Sequence, residues 1–157
     1  MAAAVGRISM LVGVENLRAV TLALLGLATP AFAADRVAVG TQLVSPDTGY
    51  SPGVASGDTL YVSGLQGIDP KSHAIPAEFS KELRFCMDRL LITLKDGGMS
   101  EKNIVSVTIY VTDISNFHEV DGLYKSMISR PYPARTVVGV KSLSVGARIE
   151  ISAIARR

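Results

Sequence analysis

The chain has 157 residues and a formal net charge of +2, and 48% of its residues are hydrophobic and 19% charged. This balance can form one packed domain and excludes general disorder. Lysine and arginine are scattered and tryptophan is absent, so no nucleic-acid partner is expected. One cysteine and two histidines allow no internal disulfide and predict no metal site.

Residues 1–33 have the order of a secretory signal peptide. Two arginines precede an apolar run at 19–28 that is too short to span a membrane, and the small-residue pattern A-x-A occupies 31–33. We therefore expect cleavage before Ala34 and a mature domain of 34–157. That domain would be periplasmic or secreted, with no stable membrane association. An uncleaved amphipathic or membrane-anchoring helix is one alternative, and a transit peptide, which Glu15 and the scarcity of serine disfavour, is another.

The first half of the mature chain predicts a loop, a strand and a helix. Glycine, serine and proline are dense over 40–57, which indicates a long loop of the kind that often carries function. Thr59–Ser63 predicts a short strand that ends at Gly64. Apolar residues recur every three or four positions over Phe79–Asp96, which predicts a helix. The following pair of glycines is typical of a left-handed C-cap.

The segment Ile104–Thr112 alternates between apolar and polar residues, which predicts a strand. Its expected apolar face consists of Val105, Val107, Ile109 and Val111.

A second helix and two strands complete the predicted elements. Ser115 or Asn116 is the expected N-cap of a helix whose apolar stripe runs over 117–128, and two prolines end it. Strands follow at Thr136–Val140 and Ala147–Ala155. This order predicts an α+β fold with two helices on one face of a sheet. The other face mixes threonine, serine and tyrosine with apolar residues, so we expect it to pack against copies of the chain.

Several short segments match one known family. They are TGYSPGV at 48–54, LYVSG at 60–64, PARTVVGV at 133–140 and IEISAIA at 149–155, with DP at 69–70 and IYVTD at 109–113. Over residues 40–157 the chain resembles the reactive intermediate deaminase family (RidA, formerly YjgF). The resemblance implies a chorismate-mutase-like mixed sheet with two helices on one face, assembled as a homotrimeric barrel with ligand clefts between subunits.

The resemblance also implies an activity. Members hydrolyse 2-imino and enamine acids to 2-oxo acids and ammonia without metal or organic cofactor, so a 2-iminobutanoate/2-iminopropanoate deaminase-like hydrolase is expected. Its ligand would be a small imino or oxo acid.

Two charged residues occupy the family's catalytic positions. Arg135 would hold the substrate carboxylate, because a guanidinium offers two parallel hydrogen bonds and stays charged. Its alternative role is an edge-strand arginine in a surface salt bridge. Glu150 would hold the attacking water, and a carboxylate on this apolar strand is expected to be buried with a partner or raised in pKa. Its alternative role is a glutamate that points outward from an amphipathic strand.

Five further positions are expected to bind substrate by resemblance. Tyr50 would close over the ligand, and Ser63 and Gly64 would supply hydroxyl and backbone contacts. Val137 stands where many members have cysteine, so only its backbone would contribute. Asp121 stands where the second helix usually has asparagine.

Other departures put substrate preference in doubt. Leu65 replaces a frequent glutamine, and Glu82 and Arg89 replace the first helix's usual glutamine and asparagine. Cys86 lies on the apolar stripe of that helix and is expected in the core. Export and the altered positions Leu65, Val137 and Asp121 favour a second hypothesis, a non-catalytic trimer that binds small carboxylates. Endoribonuclease activity, a third label of the family, is disfavoured by the absence of a basic patch.

Overall fold

The structure, a computed structural model, describes residues 35–157. The predicted signal peptide at 1–33 and its cleavage before Ala34 lie outside these residues. Within the described part, no helix combines the length and the apolar character that crossing a membrane requires.

Six strands form one mixed sheet in the order β1-β2-β3-β6-β4-β5. All neighbouring strands are antiparallel except β4 and β5, which are parallel. The strands are β1 Val37–Val39, β2 Gly53–Ser56, β3 Thr59–Gln66, β4 Ile104–Val111, β5 Ala134–Gly139 and β6 Ile149–Arg156. With helices α1 Phe79–Asp96 and α2 Phe117–Met127, this confirms the α+β fold and its mixed sheet.

Helix α1 has the predicted bounds because its apolar stripe is long and regular. Leu83, Cys86, Met87 and Leu90 are at most 2% exposed and belong to the core formed with the sheet. Each buried leucine contributes roughly 1.5–3 kcal/mol relative to an exposed one. Gly98, with φ of 69°, takes the left-handed conformation expected after the helix.

Helix α2 packs beside α1 and begins differently from the prediction. A short 3₁₀ turn, Ile114–Asn116, precedes it, and the Asp113 carboxylate accepts a hydrogen bond from the Ser115 backbone N–H at 2.9 Å. Asn116 stands at the predicted N-cap position of α2, whereas Ser115 lies inside the extra turn, which Asp113 caps. Asn116 itself makes no side-chain cap hydrogen bond.

Two strand predictions also need correction. Strand β2 lies inside the segment predicted as loop, and it pairs with both β1 and β3. Val105 was placed on the apolar face but is 51% exposed, because the pairing of β4 with β6 is irregular between Ile104 and Ser106. Ile104 takes the buried position instead.

The face of the sheet away from the helices carries a mixture of side chains. Tyr61 and Ile154 are 52% and 41% exposed there. Ser106, Thr108 and Ser152 line a shallow depression beside them. Among the described residues nothing covers this face.

Candidate active site

A β-bulge shapes the end of β3. Val62 pairs with Ala153 and Leu65 with Ile151, so Ser63 and Gly64 together face a single residue of β6. Bulges of this kind redirect side chains and are frequent next to active sites. The loop before β2 fixes this point, because the Ser63 hydroxyl donates to the Ser51 carbonyl oxygen at 2.7 Å and the Ser63 N–H donates to the Pro52 carbonyl oxygen at 2.9 Å.

Gly64 and Glu150 are in direct contact across this bulge. A Cβ atom added to Gly64 would lie 2.2 Å from Glu150 Oε1 and 2.6 Å from its Cδ. Only glycine therefore allows the carboxylate to occupy this place. A glycine is thus needed at position 64 in this chain because it leaves room for the Glu150 side chain.

The Glu150 carboxylate has a partner that the sequence analysis missed. Gln66 Nε2 donates to Glu150 Oε2 at 3.0 Å and also lies within hydrogen-bond distance of the Ser144 hydroxyl oxygen. Glu150 Oε1 accepts no hydrogen bond from the described residues. Glu150 is half-buried and partnered, and it points to the face that the helices leave uncovered.

Four predicted site residues are brought together in one cleft, which we call the Glu150 cleft. It is an open depression of about 280 Å³ lined by Tyr50, Ser63, Gly64, Gln66, Ser144 and Glu150. Strand parity counted through the bulge would have indicated Gln66. No pattern in the sequence indicates Ser144, which comes from a separate turn.

Arg135 belongs to a second group of residues, the Arg135 cluster. Its Nη2 donates to Asp121 Oδ1 at 2.8 Å, and Lys125 Nζ pairs with Asp121 Oδ2 at 2.6 Å. The guanidinium carbon lies 4.7 Å from the centre of the Tyr124 ring, a cation–π geometry. A small pocket of about 130 Å³ is lined by Arg135, Lys125, Tyr124, Tyr132 and Pro133.

The charges in this cluster perturb one another. Hydrogen bonds from Lys125 and Arg135 lower the pKa of the Asp121 carboxyl below its ordinary value of 3.8. Burial raises the pKa of the Tyr124 hydroxyl. The salt bridge to Asp121 matches the alternative prediction for Arg135, a salt-bridged arginine on an edge strand. Only Nη2 of the guanidinium takes part in it. Arg135 Nε and Nη1 make no hydrogen bond to the described residues and remain available to a ligand.

The Glu150 cleft and the Arg135 cluster lie on opposite faces of the sheet. Arg135 pairs with Val107, which is buried on the helix side. Glu150 pairs with Tyr110, three positions further along β4, and alternation directs that position to the other side. One chain therefore cannot bring both side chains to the same small ligand.

The two remaining predicted substrate-binding residues, Val137 and Asp121, do not line the Glu150 cleft of their own chain. Val137 packs against the core from β5, so its side chain does not reach the Glu150 cleft. The two carboxylate oxygens of Asp121 form ion pairs with Arg135 and Lys125. Asp121 therefore orients the arginine side chain. Cys86 is buried as expected, its Sγ donates to the Leu65 carbonyl oxygen at 3.1 Å, and burial raises its pKa.

The departures on α1 have distinct roles. Glu82 is fully buried, and it accepts hydrogen bonds from the backbone and side chain of Arg148 at 2.6 and 2.7 Å. This holds the chain just before β6 and so positions Glu150. Leu65 is 1% exposed in the core. Over residues 35–157, no group of three or more His, Cys, Asp or Glu side chains could hold a metal ion.

Known proteins share this sequence and fold. Residues 41–157 match the family model described as endoribonuclease L-PSP. The 2-iminobutanoate/2-iminopropanoate deaminase of Bos taurus is 35% identical over 107 residues, which are 68% of this chain and 78% of that protein. The RutC family protein of Aquifex aeolicus is 34% identical over 108 residues, 68% of this chain and 86% of that protein.

Solved structures agree. RidA from the Antarctic bacterium Psychrobacter sp. PAMC 21119 superposes with a TM-score of 0.68 at 28% identity, covering 72% of this chain and 92% of that one. E. coli TdcF with bound serine superposes with a TM-score of 0.70 at 28% identity, covering 77% of this chain and 98% of that one.

Proposed function

The chain belongs to the RidA (YjgF) family, and we propose that it hydrolyses 2-imino and enamine acids to 2-oxo acids and ammonia without a cofactor. The observation that carries the proposal is the Glu150 carboxylate. Gln66 holds one of its oxygens and Gly64 leaves room for the other, which faces an open cleft. Relatives named 2-iminobutanoate/2-iminopropanoate deaminase, at about 35% identity, support the substrate class.

In the proposed reaction Glu150 acts as general base and then as general acid. A water molecule hydrogen-bonded to Oε1 attacks the iminium carbon as Glu150 takes one of its protons, which gives a tetrahedral amino alcohol. Glu150 then returns that proton to the nitrogen. The C–N bond breaks as Glu150 takes the hydroxyl proton, which leaves the 2-oxo group, and Glu150 passes this proton to the departing ammonia, so that ammonium leaves and the carboxylate is restored. Substrate and water supply every atom, so no oxidant or metal is needed.

The substrate carboxylate needs a cation that the Glu150 cleft lacks. The six residues that line the cleft include no lysine or arginine, and the Arg135 of the same chain lies on the opposite face. We therefore propose a homotrimer in which Arg135 of one subunit approaches the Glu150 cleft of the next. The uncovered sheet face, with Tyr61 and Ile154 exposed, would form its central contact. Serine bound to the E. coli relative supports a small carboxylate ligand.

The second candidate is a non-catalytic trimer that binds small carboxylates. Val137 favours it, because this position lacks the cysteine of many members and the valine side chain packs into the core. Such a protein would use the same cleft and the same arginine but would not release ammonia.

An imine-release assay on the mature protein, beginning at Ala34, separates the two candidates. An amino-acid oxidase generates the imine, semicarbazide traps it, and the protein competes with the trap. We expect less semicarbazone and faster ammonia release in proportion to protein concentration. Calorimetric binding of a 2-oxo acid with no effect on the imine would establish the binder instead. Incubation with RNA tests the activity named in the family model's description, and we expect no cleavage.

We also propose that the protein is exported, because residues 1–33 have the composition of a signal peptide. N-terminal sequencing of protein from the native host should find Ala34 first. An intact Met1 in a cytoplasmic fraction would contradict export and would leave the enzymatic proposal unaffected.

A further inference from the structure

A second cavity adjoins the Glu150 cleft. It encloses about 280 Å³ between the loop after β1, the loop after β3 and helix α1. Its walls include Leu43, Thr48, Tyr50, Ile68, His73 and Arg89. Tyr50 lines both the cavity and the Glu150 cleft, so one aromatic side chain separates the two spaces. The volume suits a few non-hydrogen atoms of a small ligand.

Arg89 is a buried cation that has no counter-ion within residues 35–157. Only 9% of the residue is exposed, and its Nη2 donates to the Leu43 carbonyl oxygen at 3.0 Å. Its Nε is buried and has no hydrogen-bond partner among the described residues. No carboxylate of the described residues forms an ion pair with it.

Burial of an uncompensated charge is costly, and proteins normally pair such a charge. The other well-buried charge on α1 follows this rule, since Glu82 is paired with Arg148. Burial lowers the pKa of Arg89, yet a guanidinium remains protonated at neutral pH. A positive charge thus lies at the wall of a cavity, and the described part of the chain provides no anion for it.

The walls of the cavity indicate which anion would fit. Leu43, Val44, Ile68 and Pro70 supply apolar surface, and His73 adds a hydrogen-bonding ring. A carboxylate on a short aliphatic chain matches this combination, because the guanidinium binds the charged end and the apolar wall contacts the methylenes. Because Tyr50 lines both spaces, a chain that starts in the Glu150 cleft would pass this ring to enter the cavity.

We propose that the Arg89 cavity binds the side-chain carboxylate of a dicarboxylic substrate, so that the protein acts on imino acids of the 2-iminoglutarate and 2-iminosuccinate class. This rests on the proposed imine hydrolysis. The 2-amino-acid end occupies the Glu150 cleft, and the distal carboxylate passes Tyr50 to reach Arg89. Preference for an acidic side chain then follows from one residue of α1.

The test compares kcat/KM for 2-iminoglutarate and 2-iminobutanoate, each generated by an oxidase in the same assay. The wild type should prefer the acidic imine by about tenfold to a hundredfold, the worth of one charge-assisted hydrogen bond. In Arg89→Gln this ratio should fall towards one. Glutamine removes the charge but is two bonds shorter than arginine to Nη2, so the hydrogen bond to the Leu43 carbonyl oxygen is lost as well.

Arg84→Met is the matched control. Arg84 lies on the same helix, is 57% exposed in its side chain and pairs with Asp88, and its variant should keep the wild-type ratio. Arg89→Lys retains the charge but loses the planar fork, so its ratio should be intermediate. A wild-type ratio of one or less, or an unchanged ratio in Arg89→Gln, would overturn the proposal.

Calorimetry separates this proposal from the enzymatic one. If no imine is hydrolysed, glutarate should still bind the wild type about tenfold or more tightly than butanoate, and Arg89→Gln should abolish the difference. Equal binding of the two acids would reject the cavity proposal on its own. Inorganic phosphate is the remaining arm: if it binds as tightly as glutarate, the cavity is a general anion site and the dicarboxylate assignment is wrong.

Discussion

The Glu150 cleft and the Arg135 cluster hold the two groups that imine hydrolysis would need, and they are built in different ways. In the cleft a neutral amide, Gln66, orients the carboxylate and leaves one oxygen free. In the cluster a carboxylate, Asp121, already pairs with the guanidinium. The two regions face opposite sides of the sheet. We therefore propose that each is half of a site, which a second copy of the chain completes.

The largest effect is expected in the cleft. Glu150→Gln keeps the shape of the side chain but removes its ability to accept a proton, so turnover should fall by ~10²–10⁴. Binding of a 2-oxo acid should largely persist, because the carboxylate clamp is elsewhere. Imine assays and calorimetry on the same preparation measure both quantities. A variant that turns over normally would remove Glu150 from the mechanism.

The next effect tests whether the bulge serves Glu150. Gly64→Ala would place a Cβ atom 2.2 Å from Glu150 Oε1, so the carboxylate must move. A displacement of about 1 Å can cost ~10² in rate. Gly122→Ala is the control, because nothing lies within 4 Å of its added Cβ. Equal activity of the two variants would mean that the contact has no catalytic role.

Substitutions in the Arg135 cluster should change the affinity for a 2-oxo acid. Arg135→Lys should lose roughly tenfold to a hundredfold in affinity for a 2-oxo acid, nearly as much as Arg135→Ala, because lysine lacks the planar fork. Both variants should remain trimeric by light scattering. If Arg135→Ala binds the acid normally, the clamp assignment is wrong.

The smallest effect distinguishes an orienting Asp121 from one that contacts substrate. Asp121→Asn should weaken 2-oxo acid binding only about two- to fivefold, in keeping with a partly exposed ion pair. In the wild-type protein the pKa of the Asp121 carboxyl lies below 3.8. The ion pair of Asp121 with Arg135 is therefore present above that pH and is lost as the pH falls through the lowered pKa. Wild-type affinity should therefore show no contribution from Asp121 titration above about pH 5. A loss as large as that of Arg135→Ala would instead indicate direct contact.

The sequence predicted the elements that follow a simple period. Phe79–Asp96 has an uninterrupted apolar stripe, and the structure has a helix with those bounds. Strand β2, Gly53–Ser56, was missed because its four residues are small and lie among turn-forming neighbours. The residues of β2 alone do not indicate a strand, because the strand is stabilised by its pairing with β1 and β3.

The site was predictable in composition but not in arrangement. Family motifs indicated Tyr50, Ser63, Gly64 and Glu150, and the structure places all four in one cleft. Gln66 was missed because the bulge at Ser63 and Gly64 changes the parity of β3. The separation of Arg135 from Glu150 depends on which residues pair across β4, and a single sequence does not reveal strand register.

Subunit complementation tests most directly whether the site is shared between chains. Arg135→Ala and Glu150→Gln, each strongly impaired alone, are co-expressed with different tags, and the mixed assembly is purified through both. If every cleft takes Arg135 from one subunit and Glu150 from another, each mixed trimer keeps both groups intact in one of its three clefts, so about a third of the clefts should be restored and measurable imine hydrolysis should return. A mixed assembly that carries both tags and remains inactive would contradict the shared site.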